Sequence, residues 1–416
     1  MRLLFLNRSF WPDPEATGQF LTQLCEDLSA EHRITFIAGP SLYVRDGQRR
    51  PLKRDRRGQV EIIRTWGTRF SKRRLVGRLT NLGSYYLLAA TAAVRLQRPD
   101  VIIAETDPPL LGALGAMLKR RWACKLVYNV RDLYPDVAEA NGGLKSRPLL
   151  AVLRHANAYA FRHADLVVTL GNDMARRIAA KGVPASKVTV ISDWVDTRQI
   201  TPMPNSRFRA ELGERFVVMY SGNMGLSQQL ECVIDAARRL RDDPRVLFVL
   251  IGEGARKQAL EALSRELNLG NVKFLTYRPQ EQLAESLSAA DLHLVPLMRG
   301  AQGCMVPSKI YGVLAAGRPF VAMMETDSEI ARIAREHAVG FVVPPGDSDA
   351  LARTIAAAAS KPVELHAMGI RARKLALRSY TRVAATRQFA AMLESVARDP
   401  AEPGSSAGLL PDPANL

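Results

Sequence analysis

One lysine sits where a cation is out of place. In "VPSKIYGVLAAGRP" (residues 306–319), Pro307 and Ser308 fall at a predicted helix start and Lys309 occupies the first turn. First-turn amides carry partial positive charge, so a cation there disfavours the helix. An anion seated between them removes the conflict, and Ser308 is placed to cap the helix. Two glycine-bearing turns suit the same anion. "YSGNMGLSQQLE" sets Gly222, Asn223 and Gly225 between a predicted strand and helix, and "LIGEGARKQAL" repeats the arrangement with Gly252, Glu253 and Gly254. Glycine lets a backbone approach a ligand closely, and a new helix offers unpaired N–H groups to phosphate. The chemistry these residues could serve is the seating of an anion such as a phosphate.

The elements that must position them come from an alternation of predicted strands and helices. Apolar runs recur as "RLLFLN", "RITFIAG", "VEIIRT", "VIIAE", "KLVYNV", "LVVTL" and "VTVIS". After them come "RFVVMYSG", "VLFVLIG", "VKFLT", "LHLVP", "FVAMM" and "GFVVP". Most are continuously apolar, as strands covered on both faces are. Segments such as "LSQQLECVIDAARRL" and "ARKQALEALSREL" repeat apolar residues at helical steps. Strand–helix alternation predicts α/β architecture with doubly wound parallel sheets. Two series joined by "TRQITPMPNS" predict two facing Rossmann-like domains, residues 1–200 and 201–378. A helix over 379–397 is expected to return to the first domain, and 398–416 reads as a disordered tail. Ligands of such sheets gather at the carboxyl ends of the strands, in the gap between the domains.

Composition narrows the partners. The chain has 416 residues, 47% hydrophobic, enough for two packed cores. Its four cysteines are scattered without a CxxC pair, which argues against a disulfide framework or zinc site and fits a reducing cytoplasm. The longest nearly uncharged apolar stretch, "LTNLGSYYLLAATAAV", is too short for a membrane span. Net charge is +17, and residues 1–200 hold 32 Lys/Arg against 18 Asp/Glu. Much of that excess lies between Arg45 and Arg78, which points to an anionic partner. The block lacks interleaved aromatics and any recognised nucleic-acid module, so nucleic acid is not expected. A basic segment directly before an apolar, tyrosine-bearing helix instead suits attachment to an anionic membrane surface.

The ordered motifs carry a resemblance. "VPSKIYGVLAAGRPFVA" with "SEIARIAREHAVGFVVPPGDSDALARTI" resembles the second domain of glycosyltransferase family 4. "FWPDPEATGQFLTQLCEDLSAEHRITFIAG", "ETDPPLLGALGAMLKRRWACKLVYNVRDLYPDVAEANGGL" and "ADLVVTLGNDMARRIAAKGVPASKVTVISDWVD" are similar to the first domain of its bacterial surface-polysaccharide branch. The resemblance runs over about residues 1–395. It implies a GT-B fold and retaining, nucleotide-sugar-dependent transfer to a polyprenyl-linked or other anionic glycan acceptor at the inner face of the cell membrane. Two departures stand out. The family's paired glutamates fall here on Cys304 and Gly312, and the arginine and lysine that many members carry after the first glycine turn are missing from "GNMGLSQQLE".

Lys309 is therefore expected to receive the diphosphate. Asp132, after "KLVYNV", is expected to play a supporting or base-like part. Thr17 and Gly18 on the first loop, Tyr277 and Arg278 after "KFLT", and Gly303, Cys304 and Met305 before Lys309 are expected to border the donor or acceptor. No Asp-x-Asp pair or His/Cys cluster stands out, and Pro135 separates Asp132 from Asp136, so transfer without metal or other cofactor is expected. A nucleotide-sugar 2-epimerase of the same fold is the alternative, although no acid and base carboxylates can be placed for it. A basic nucleic-acid-binding protein is the other.

Overall fold

The computed structural model of the chain describes residues 1–13, 15–40, 54–68, 70, 75–144, 146–203 and 205–398. Residues 45–53, 69 and 71–74 of the basic block between Arg45 and Arg78, and the tail from residue 399, lie outside the described residues.

The apolar runs form two sheets. The first contains β1 (Arg2–Leu6), β2 (Arg33–Ala38), β3 (Arg54–Arg57), β4 (Val60–Arg64), β5 (Val101–Ala104), β6 (Lys125–Val130), β7 (Leu166–Thr169) and β8 (Val188–Val190). Their spatial order is β3-β4-β2-β1-β5-β6-β7-β8. The second contains β9 (Phe216–Ser221), β10 (Val246–Ile251), β11 (Val272–Leu275), β12 (Leu292–Pro296), β13 (Phe320–Met323) and β14 (Gly340–Val343), in the order β11-β10-β9-β12-β13-β14. All six are parallel, and strand order reverses direction beside β9, as it does beside β1 in the first sheet. Such reversals open a crevice beyond the strand ends. Helices cover both faces, so β10, "VLFVLI", is buried along its whole length.

One strand departs from the expected parallel order. β3 runs antiparallel to β4 through a turn at Gly58, which has a φ of +59° that favours glycine. "RDRR" reads as a charged loop because it has no apolar face, yet charge is what an edge strand carries to discourage pairing with other chains.

The chain ends by crossing back. The helix Arg382–Arg398 buries Ala385, Phe389, Met392 and Leu393 against Leu21, Leu24 and Leu28 in the core of the first sheet. Arg382 anchors it with two hydrogen bonds to the Asp27 carboxylate, 2.8 and 2.6 Å. Two helix starts also meet across the gap. The Asn172 amide donates to Glu329 Oε2 (2.8 Å), and the Glu329 amide donates to Asp173 Oδ2 (3.1 Å).

Candidate active site between the two sheets

On the second sheet, β9 delivers Tyr220 and Ser221 to the reversal point, and Gly222 and Asn223 follow. Gly222 has φ +151°, and a Cβ built there would lie 2.9 Å from Lys309 Nζ. Lys309, brought from the far side of β12 by the loop after Pro296, thus lays its amine directly on the turn. Its Nζ donates to the Tyr220 hydroxyl at 2.8 Å and sits 3.9 Å from the ring centroid. Tyr220 Oη in turn donates to the Asn223 carbonyl at 2.6 Å. Among the described residues no carboxylate lies within ion-pair distance of Lys309. Burial pushes its amine down to about 7, far below an ordinary lysine. An ammonium that has shed water without gaining a counter-ion is under-satisfied, and an anion in front of it relieves the cost.

The neighbouring glycines are required by the backbone. A Cβ at Gly252 would come 2.0 Å from the Gly222 carbonyl oxygen, and one at Gly254 2.4 Å from that of Met224. The two turns are laced together by Gly222 N–H to Ile251 O (2.9 Å) and Met224 N–H to Glu253 O (2.7 Å). The second turn is a buttress for the first. Glu253 is paired to Lys257 (2.7 Å), and Tyr277 lies half exposed beside it.

Three expectations need correction. Ser308 makes no side-chain cap; its φ is −65° and ψ −19°, already helical, so its hydroxyl does not face the first free amides. The helix it precedes, Lys309–Ala315, is only seven residues long. Gly225 does not open an α-helix either. A 3-10 turn Leu226–Gln228 follows it, Gln228 Oε1 accepts from the Gly225 amide (3.1 Å), and the α-helix begins at Glu231. Arg278, expected beside a base, lays its guanidinium 4.1 Å over the Phe208 ring.

The loop Gly303–Met305 crosses to the first sheet. Gly303, at φ +67°, packs on the Asp173 carbonyl and Arg177. Cys304 is buried, and its carbonyl accepts from the Leu133 amide at 2.7 Å, while Met305 forms a bridge with Asp132. Lys309 and Asp132 are thereby joined through five residues of chain.

Asp132 hangs from Thr106, whose hydroxyl accepts from the amides of both Arg131 (3.2 Å) and Asp132 (3.1 Å). Its carboxylate has no hydrogen-bond partner among the described residues. Burial raises it to about 6, with the Asp107 and Asp193 charges adding to the rise and the Arg131 guanidinium opposing it. Arg131 is itself fixed by both Asp193 oxygens (2.5 and 2.6 Å) and rests 5.3 Å over the Phe20 ring. Phe20 lies one turn beyond Thr17 and Gly18 on the helix Ala16–Leu28. Thr17 is half-buried, and Gly18 packs on Ser9 and Phe10 of the loop after β1. The structure thus joins Lys309, Gly222 and Asn223 at one turn, and Cys304 and Met305 to Asp132 and its neighbour Leu133. Arg278 rests on the Phe208 ring instead of joining this group. Tyr220, Thr106 and the Arg131–Asp193 pair touch Lys309 or support Asp132, and the sequence did not disclose those contacts.

Two doubly wound sheets facing across such a gap define the GT-B fold. Family models agree in order: residues 16–194 match the glycosyl transferase 4-like domain and 203–375 match glycosyl transferases group 1. The chain is 28% identical over 330 residues to a protein of Pseudomonas aeruginosa named as glycosyltransferase WbjE, covering 78% of this chain and 82% of that one. It is 27% identical over 372 residues to Escherichia coli WcaI, named as a colanic acid biosynthesis glycosyl transferase, covering 84% and 90%. It is 30% identical over 282 residues to Bacillus subtilis EpsD, named as a glycosyltransferase, covering 65% and 69%. Among solved structures, sucrose-phosphate synthase from Thermosynechococcus elongatus superposes with a TM-score of 0.78 at 17% identity, covering 95% of this chain and 99% of that one. Anabaena HepE, solved with UDP-glucose, gives 0.71 at 20%, covering 95% and 100%. The chain belongs to the glycosyl transferase group 1 family and is a glycosyltransferase.

Proposed function

We propose that the enzyme is a metal-independent retaining hexosyltransferase. It passes a sugar from a nucleotide-diphosphate donor to a lipid-linked or polysaccharide acceptor in bacterial surface-polysaccharide assembly. The observation that carries this reading is the Lys309 ammonium laid on Gly222 with no carboxylate of the described residues beside it. As the bond from the anomeric carbon to the diphosphate oxygen breaks, the electron pair leaves with the diphosphate, and Lys309 neutralises the growing charge. The acceptor hydroxyl oxygen bonds to the anomeric carbon on the face the diphosphate leaves. Asp132, ionised above about pH 6, holds that hydroxyl and takes its proton. In such a metal-independent transfer the diphosphate charge falls to the lysine. The names of WcaI and of Erwinia amylovora AmsK, an amylovoran biosynthesis glycosyltransferase, support the polysaccharide assignment, and the HepE complex supports a uridine donor.

The acceptor side carries a greasy rim. The helix Leu75–Val94 exposes Leu87, Leu88 and Val94, with Trp66 and Phe70 on the segment before it and Arg95 and Arg98 just beyond its end. Tyr86 of the same helix donates to the Pro108 carbonyl, next to Asp107, so the apolar surface leads toward Asp132. No helix among the described residues is long and apolar enough to cross a membrane. The enzyme sits peripherally on the anionic inner face of the cell membrane, where a polyprenyl diphosphate presents charge and hydrocarbon together.

The test is a thermal-shift and transfer panel of nucleotide diphosphates and their sugars, with and without EDTA. A true donor stabilises the fold by mass action and transfers equally well in EDTA. If no nucleotide sugar raises Tm, the reading fails; an isomerised sugar formed without acceptor makes the enzyme an epimerase. In vesicle flotation, binding to acidic but not neutral lipid that is lost in salt supports the membrane assignment, and no binding to either refutes it.

A further inference from the structure

We infer that Tyr220 is a positioning residue for the transfer step, pinning the Lys309 ammonium to the glycine turn through a hydroxyl that can only accept from it. This rests on the assignment of Lys309 to the diphosphate. The hydroxyl has one proton, and it is committed to the Asn223 carbonyl at 2.6 Å. Toward Lys309, 2.8 Å away, Oη therefore presents a lone pair. Burial drives the phenol upward, so it stays neutral through the working pH range. One ammonium proton is spent on Oη, and two remain for diphosphate oxygens. Because Asn223 belongs to the turn on which the amine rests, one side chain fixes the cation and the backbone beneath it in the same frame.

The burial of Tyr220 is otherwise unexplained. It is 0% exposed, the strand residue sharing its face, Val218, is apolar, and a phenylalanine of the same shape would fill the space. The hydroxyl is kept for a polar task. Of the elements packed against Lys309, β9 contributes Tyr220, the glycine turn contributes no titratable group, and Tyr277 stands behind Tyr220. No charged partner other than a ligand sets the proton affinity of the amine among the described residues.

Tyr220→Phe tests this. Removing the acceptor destabilises the ammonium relative to the amine, so the alkaline limb of kcat/KM, set by loss of the Lys309 proton, moves to lower pH. At pH 8, kcat/KM falls about ten- to a hundred-fold, the range expected for a hydrogen bond to a charged group. The deficit shrinks as pH falls and vanishes only below the variant's displaced limb, where the lysine is protonated in both proteins. A merely structural tyrosine would lower activity equally at every pH. An unmoved limb, or a loss that is flat across pH, overturns the inference. Should Tyr220→Phe fail to fold, 3-fluorotyrosine at position 220, a poorer acceptor of unchanged shape, is expected to shift the limb in the same direction; no shift overturns the inference equally. Lys309→Met run alongside separates the two claims. If it retains full activity, the diphosphate assignment and this inference both fall; if it is impaired while Tyr220→Phe is not, only this inference falls.

Discussion

Replacing Lys309 by methionine keeps an unbranched apolar stem of similar length and deletes the charge, which lets fold and function be read separately. The "GNMGLSQQLE" turn holds no arginine or lysine, so nothing on it can substitute for the missing ammonium. By analogy with loss of a fixed oxyanion donor, transition-state stabilisation falls by about 3–4 kcal/mol, so kcat drops about 10²- to 10³-fold. Stability moves the other way. The folded amine titrates near 7 against 10.5 for a free lysine, so burying the charge costs the native state its full penalty below about pH 7. The penalty fades as pH rises and is gone above the ordinary lysine value. Lys309→Met is therefore expected to melt at or above the wild-type Tm at pH 6, with the difference narrowing toward pH 10. The assays are initial rates over donor concentration and melting curves at several pH values. A kcat/KM within threefold of wild type, or a Tm several degrees lower at pH 6, would refute the reasoning.

Other outcomes follow from the same geometry. Asp132→Asn is expected to lose about 10²-fold or more in kcat and to flatten the acid limb of the rate profile, which in the wild type rises through about pH 6 as the carboxylate ionises. Arg131→Met strands the Asp193 carboxylate, 2% exposed, and is expected to cost about 3–5 kcal/mol in urea unfolding, whereas an exposed pair would cost under 1. Gly252→Ala drives a methyl into the Gly222 carbonyl and is expected to lower Tm and activity together, because the turn beneath Lys309 must shift. Circular dichroism melts and transfer rates on the one protein sample check that coupling.

The parallel sheets were legible because strands covered on both faces read as unbroken apolar runs, and each run named in the sequence became a strand. β3 was not, since an edge strand needs no buried face and "RDRR" has none. Lys309 betrayed itself by opposing a helix dipole. Its partner did not: a tyrosine inside "RFVVMYSG" looks like core, and only coordinates show its hydroxyl turned to an amine 89 residues away. Gly252 and Gly254 were read toward a ligand because backbone contact and ligand contact ask the same thing of a glycine. The Arg131–Asp193 pair spans 62 residues and carries no local pattern. Ser308 has the residue type of a cap without the extended backbone a cap requires.

The meeting of Asn172 and Asp173 with Glu329 fixes how the two halves can come apart. Each lobe there finishes the other's helix, so neither end can be wetted alone. Drawing the lobes apart frees both amides and both carboxylates in a single motion. The lips of the substrate gap on that flank behave as a snap fastener rather than a sliding seam.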